Sequence, residues 1–266
     1  MRETYVRAAQ LIRDAKAVLI TAGAGMGVDS GLPDFRGHEG FWRSHPTIKN
    51  MLFSELADET LFDVSADTAW QFYGTRQQLY KNTQPHLGFY YLLNWLTQLN
   101  KPYFVYTSNV DGHFQKAGFN PQLIFECHGN INRWQCSKLC TSRLVDASLE
   151  EKQTIPPICN ICGAVLRPNI LMFNDRHFNY QSIYQQKPHY RQWLFQHESE
   201  KLLTIEIGAG THIPTVRRQA EVSQGDLIRI NPNEAMISTN RFGHNLPIPV
   251  PALEALTSIN KVIKCP

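Results

Sequence analysis

Residues 18–37 read VLITAGAGMGVDSGLPDFRG. Val18, Leu19 and Ile20 open the stretch as an uninterrupted apolar run, the pattern of an interior parallel strand covered on both faces. Gly23, Ala24 and Gly25 follow at once. Small residues there let the main chain approach a pyrophosphate, whose charge backbone amides at a helix start can hold. Small residues also pack tight turns for purely structural reasons. An ordinary dinucleotide fold places an acid about 20 residues after the first glycine, to bind a ribose. Arg43 stands there instead, between Trp42 and Ser44, so the plain dehydrogenase pattern is not met. The stretch ends in Asp34-Phe35-Arg36-Gly37, where a guanidinium suits a phosphate and an aromatic plate can shield an electrophilic sugar carbon.

Outward from that segment, the chain of 266 residues has length for one large domain with smaller insertions. Its net charge of +3 is only mildly basic, which gives no ground for a nucleic-acid partner. No apolar run approaches the roughly 18 residues of a membrane span, and the N-terminus lacks a signal-peptide pattern. A soluble, cytoplasmic protein with no membrane partner is the expectation. Residues 1–15 read as an amphipathic helix with Tyr5, Ala8, Leu11 and Ile12 on one side.

The cysteines carry an independent signal. Cys136-x3-Cys140 is followed after eighteen residues by Cys159-x2-Cys162. Two close pairs at that separation are what a tetrahedral Zn²⁺ needs, each pair supplying two vertices. Two disulfides are the competing reading, disfavoured in a chain without a secretion signal. Four thiolates leave no open coordination position, so the metal is expected to be structural. Cys127 and Cys265 fall outside the pattern, as a core thiol and a tail residue.

Further apolar runs mark strands at 102–106, 123–125, 202–207 and 227–230. In an open parallel sheet, ligands gather beyond the carboxyl ends of strands, so the loops after these runs belong beside the glycine turn. They carry Thr107-Ser108-Asn109-Val110-Asp111-Gly112, Glu126-Cys127-His128-Gly129, Gly208-Ala209-Gly210-Thr211 and Asn231. A histidine is the natural general base near neutral pH, although a lone histidine at a strand end is ordinarily structural.

The run Gly-Ala-Gly-x4-Ser-Gly-x-Pro-Asp-Phe-Arg-Gly over residues 23–37 resembles the cofactor-binding loop of sirtuins, the NAD-dependent protein deacylases. The resemblance extends over roughly residues 17–231. It implies an α/β fold, a Rossmann-like parallel-sheet domain (1–37, 84–129 and 165–266) interrupted by a helical insertion (38–83) and a zinc-binding module (130–164). It implies NAD as a consumed co-substrate, structural Zn²⁺ on Cys136, Cys140, Cys159 and Cys162, and an acyl-lysine protein or peptide as partner. It further implies that Gly23, Ala24, Gly25, Asp34, Phe35, Arg36, Ser108, Asn109, Asp111, His128, Gly208, Ala209, Gly210 and Asn231 contact NAD. Arg36 meets the phosphate and ribose region, Phe35 shields the nicotinamide ribose, Asp111 receives the carboxamide, Asn231 holds the adenosine ribose, and His128 with Asn109 is catalytic. In the implied reaction the acyl oxygen displaces nicotinamide to give an imidate, and His128 then draws a proton from a ribose hydroxyl that attacks it.

Departures from the family pattern are as specific as the matches. Ser108 stands for a glutamine, the first cysteine arm is one residue longer than usual, and Phe173-Asn174-Asp175 stands for Phe-Gly-Glu after a segment that pairs with the substrate backbone. Gly208-Ala209-Gly210-Thr211 takes the place of a Gly-Thr-Ser turn. These leave mono-ADP-ribosyl transfer, NAD hydrolysis and a non-catalytic NAD-sensing module open beside deacylation. Tyr73 and Arg76, three apart on an expected helix, resemble the Tyr-x-x-Arg pair of sirtuins that remove acidic acyl groups. Packing of Tyr73 and solvation of Arg76 is the alternative. Substrate contacts are thus expected at Tyr73, Arg76, Phe173 and Asn174.

Overall fold

The computed structural model describes residues 2–33, 48–147, 155–197 and 201–264. Its centre is a six-stranded parallel sheet of β1 (Ala17–Ala22), β2 (Tyr103–Thr107), β3 (Ile124–Glu126), β7 (Leu202–Ile207), β8 (Asp226–Ile230) and β9 (Asn245–Ile248), ordered β3-β2-β1-β7-β8-β9. Ala22 lies opposite Thr107 on one side and Ile207 on the other, so β1 is the central strand. All six β1 residues are buried, as an apolar run without alternation requires.

The pleat sends alternate β1 residues into two different layers. Val18, Ile20 and Ala22 join a core with residues of α1 (Arg2–Asp14), α6 (Leu87–Gln98) and α10 (Ala252–Lys264). Ala17 and Leu19 join a second core under α8 (Gln181–His197) and α9 (Thr215–Val222), where Phe104, Phe125, Tyr190 and Trp193 pack. The first helix buries Tyr5, Ala8, Ala9, Leu11 and Ile12, the expected stripe with one further alanine. The parallel order with helices on both faces is the doubly wound architecture read from the sequence.

A second lobe holds α3 (Phe53–Leu56), α4 (Leu61–Val64) and α5 (Ala66–Asn82), together with an antiparallel sheet of β5 (Val145–Asp146), β4 (Gly129–Cys136) and β6 (Leu166–Ile170). The two insertions expected separately share one hydrophobic core. Trp70 of α5 packs edge-on to Trp134 of β4 with ring centres 5.2 Å apart, and its indole N–H donates to the Leu166 carbonyl at 2.8 Å. Cys136 and Cys159 are buried in the same core. β6 pairs with β4, so this sheet runs past residue 164, the expected end of the cysteine module.

Candidate active site

Winding reverses between β1 and β7, and in such sheets a ligand sits in the crevice beyond the strand ends at that point. Both turns there are built from glycine, and they pack on one another. The Gly23 amide donates to the Ile207 carbonyl and the Gly25 amide to the Gly208 carbonyl, each at 3.0 Å. A Cβ at Gly25 would lie 2.7 Å from Gly208 Cα, and one at Gly208, whose φ is +63°, would lie 2.4 Å from the Gly25 carbonyl carbon. The amides of Met26 and Gly27 donate to the Gly23 and Ala24 carbonyls as the short α2 (Gly25–Val28) begins. The small residues at 23 and 25 are therefore accounted for by close approach of two turns, and four amides of the first turn are spent on protein carbonyls.

Above this contact lies a cavity of about 420 Å³. Its walls come from Gly23, Ala24 and Gly27 after β1, Ser108, Asn109, Val110 and Asp111 after β2, and His128 after β3. Ala209, Gly210, His212 and Ile213 close it from the β7 side, while Arg76 and Tyr80 of α5 and Phe173 close it from the second lobe. Size and position fit a nucleotide-type ligand. The Ser108 amide donates to the Ala22 carbonyl at 3.2 Å and the Asn109 amide to Thr107 Oγ1 at 3.0 Å, which fixes the β2 loop against the β1 end.

Burial dominates the electrostatics. Asp111 accepts from the His113 amide at 2.8 Å, yet desolvation pushes its carboxyl up to about 6. Burial holds His128 below the ordinary imidazole value, favouring the neutral ring a general base needs. His113, behind the cavity wall, is pushed down to about 4, again by burial.

Not every expected residue reaches this cavity. Tyr73 is fully buried in the aromatic core, stacked on Phe62 at 5.7 Å and edge-on to Phe72, and its hydroxyl has no hydrogen-bond partner among the described residues. The phenol hydrogen-bonded to Arg76 is that of Tyr80, which accepts from Arg76 Nε at 2.8 Å. Spacing was the available signal, because residues four apart on a helix are neighbours just as residues three apart are. His212 was missed as well, and only its place two residues beyond Gly210 pointed to it.

Asn231 lines a separate hollow of about 150 Å³ with Gly25, Gly208 and Asn233. Its Nδ2 donates to the Ala209 carbonyl at 2.9 Å, and its Oδ1 accepts from the Asn233 and Glu234 amides. It ties the β8 loop to the β7 turn. Phe173 has both main-chain groups engaged: its amide donates to the Ala57 carbonyl at 2.8 Å and its carbonyl accepts from the Glu59 amide at 3.2 Å. Asn174, at φ +53°, donates from Nδ2 to Asp58 Oδ2 at 2.6 Å. Asp34, Phe35 and Arg36 lie outside the described residues, as does Cys265.

Sγ atoms of Cys136, Cys140, Cys159 and Cys162 all lie within 4.8 Å of one another, and Cys136–Cys162 and Cys140–Cys159 are each 3.5 Å apart. Disulfide sulfurs would be about 2.05 Å apart. Four thiolates about 2.3 Å from a central zinc stand a little under 4 Å from each other, so the cluster fits a tetrahedral, coordinatively closed Zn²⁺.

A doubly wound dinucleotide-type sheet with a four-cysteine metal module in a second lobe is the class these features define. The sequence profile of the Sir2 family matches residues 23–194, and the chain belongs to that family. It is 33% identical over 167 residues to an NAD-dependent protein deacylase of Pyrobaculum aerophilum, a match spanning 63% of this chain and 62% of that protein. With an NAD-dependent protein deacylase of Leptospira interrogans it shares 28% identity over 223 residues, 82% of each chain. A solved Sir2 homologue mutant bound to ADP-ribose has the same fold, with a TM-score of 0.70 and 22% identity over 97% of this chain and 96% of that one.

Proposed function

We propose that this protein is an NAD-dependent protein-lysine deacylase that consumes NAD and releases nicotinamide and O-acyl-ADP-ribose. The observation that carries this reading is the convergence of Asn109, Asp111 and His128 on one cavity walled by the β1 and β7 turns. Family membership and the named relatives support the same activity.

In this reading Asp111 and Asn109 hold the nicotinamide end, Ala24, Ala209 and Gly210 flank the phosphates, and Asn231 borders the adenosine side. Ser108 is shorter than the family's glutamine and reaches the ribose through water. NAD supplies the sugar carbon from which nicotinamide leaves. The acyl oxygen bonds to that carbon as nicotinamide departs. His128 takes the proton of a ribose hydroxyl whose oxygen then bonds to the acyl carbon, and one water completes release of the lysine amine, leaving the acyl group on ADP-ribose. Burial keeps that imidazole unprotonated for the task. Arg76, paired with Tyr80, favours acyl chains that end in a carboxylate. Phe173 and Asn174 border the entry of the substrate peptide.

On this reading the chain divides into a nucleotide-binding unit (1–37, 84–129, 165–266), a helical insertion (38–83) and a zinc module (130–164), with β6 crossing from the first of these to complete the module's sheet. No described helix is long and apolar enough to cross a membrane. A cytoplasmic location accords with a cage of reduced thiols.

Mass analysis of products from NAD and an acyl-lysine peptide library tests the reading. Nicotinamide with acyl-ADP-ribose is expected. A mass gain of one ADP-ribose on protein would point to ADP-ribosyl transfer, and free ADP-ribose without peptide to NAD hydrolysis. Either would overturn it.

A further inference from the structure

Glu126 ends β3, Asn130 stands second in β4, and the turn between them carries Cys127 and His128. The Glu126 carboxylate spans that turn. Its Oε1 accepts from Asn130 Nδ2 at 2.5 Å and from Gln115 Nε2 of α7 (His113–Lys116) at 2.8 Å. Its Oε2 accepts from Gln186 Nε2 of α8 at 3.5 Å, and Gln186 Oε1 accepts the Glu126 amide at 2.9 Å. The residue is 2% exposed and makes no ion pair among the described residues.

Arg133 acts on this carboxylate only through space, without an ion pair, and a carboxylate buried in that way is a costly means of holding a corner unless several donors meet it in fixed directions. Here three side-chain amides do, from α7, β4 and α8. Gln115 belongs to the helix that continues the Asn109–Asp111 loop, and Asn130 to the strand that leaves His128. One carboxylate thus links both loops that line the cavity.

We propose that Glu126 is the positioning residue for His128, a clasp across its turn that sets the imidazole's angle toward the reacting sugar. This rests on the deacylase reading above. The main chain of the turn has its own anchors, because the Cys127 amide donates to the Thr107 carbonyl and the Leu171 amide to the His128 carbonyl, each at 2.9 Å. Loosening the clasp therefore leaves the strand pairing in place and relaxes the hold of α7, β4 and α8 on the turn that carries His128.

The experiment separates two half-reactions of the full-length protein. Exchange of labelled nicotinamide into NAD, with acyl peptide present, needs the nicotinamide pocket but precedes the proton transfer to His128. Acyl-ADP-ribose formation needs both. For Glu126→Gln and the milder Asn130→Ala, which leaves the carboxylate its other two amides, exchange is expected within about twofold of wild type. Acyl-ADP-ribose formation is expected to fall about 10- to 100-fold. His128→Ala should give the same pattern more deeply. Equal losses in both half-reactions would mark a merely structural corner and overturn the proposal, and so would no loss in either. A wild type that forms no acyl-ADP-ribose from any acyl peptide would overturn the deacylase reading and the clasp with it.

Discussion

Arg76 and Tyr80, one helical turn apart on α5, meet the cavity as a unit. The guanidinium Nε donates to the phenol oxygen at 2.8 Å, and its carbon stands 5.2 Å from the centre of the same ring. Tyr73, three residues earlier, belongs to the core. Arg76→Met is expected to lower turnover of succinyl- and malonyl-lysine peptides at least tenfold relative to acetyl-lysine, as loss of a charge-assisted contact implies. Tyr80→Phe should erode the same ratio less. Tyr73→Phe should leave it unchanged, with melting temperature equal or higher, because the hydroxyl removed has no hydrogen-bond partner among the described residues. Paired kinetics on the three acyl peptides, with thermal melts, check this.

Asp111 gives the free protein a signed pH dependence. Burial raises its carboxyl from 3.8 to about 6, so between those values the folded protein holds a proton that the unfolded chain has lost. The stability this confers is complete below about pH 4 and is lost as pH rises through 6. Asp111→Asn has no such loss. Its stability relative to wild type should therefore climb between pH 4 and pH 7, by about 3 kcal/mol at most. Denaturant unfolding of both proteins across that range checks the slope, and a flat difference would count against a buried ionised Asp111. His128 sits below its ordinary 6.5 for the same reason, so the acid limb of kcat/KM should have its midpoint below that value.

Gly208 is the position where a single methyl should undo the site. Its φ is +63°, and an added Cβ would sit 2.4 Å from Gly25 carbon and Met26 nitrogen, both main-chain atoms that cannot swing aside. Gly208→Ala must part the two turns. The expected outcome is loss of NAD-induced thermal stabilisation, together with a melting temperature several degrees below wild type. Gly163→Ala makes the control: that glycine also has a positive φ, but its Cβ would meet nothing within 4 Å.

The cysteine cage should hold the second lobe together. Cys136 and Cys159 lie in one core with Trp70, Trp134 and Phe62. Metal analysis is expected to find about one zinc per chain, as a closed four-thiolate site requires. Chelation or Cys159→Ser should lower the melting temperature and shift tryptophan fluorescence, since Trp70 and Trp134 pack beside the cage. Unchanged fluorescence after verified zinc loss would show that the lobe's core forms without it.

Much of this arrangement was legible in the chain because the relevant signals are local. Val18–Ile20 and Leu202–Ile207 read as interior strands from their unbroken apolar character, and both lie in the sheet centre. The glycines after them were read correctly as a turn, while their main cause, each turn's contact with the other, joins residues nearly 190 positions apart. Tyr73 was misplaced for a different reason. Helical spacing puts Tyr73 and Tyr80 equally close to Arg76, and which one faces the cavity depends on how α5 is rotated. The packing of Trp70 and Phe72 in the second lobe sets that rotation. Likewise, nothing in the run Arg167–Phe173 foretold that Ala57 and Glu59 would take up the main-chain groups of Phe173.

By itself, the order of apolar runs, glycines and cysteines determined a parallel sheet with ligand loops at its strand ends and a four-thiolate cage, because strand character, turn conformation and ligand spacing each act over a few residues. The tertiary structure alone decided that the two insertions share one core, that Tyr80 and His212 wall the cavity while Tyr73 does not, and that a buried carboxylate spans the His128 turn. Those outcomes rest on contacts between segments far apart in the chain, where packing and desolvation choose among side chains that local spacing leaves equivalent.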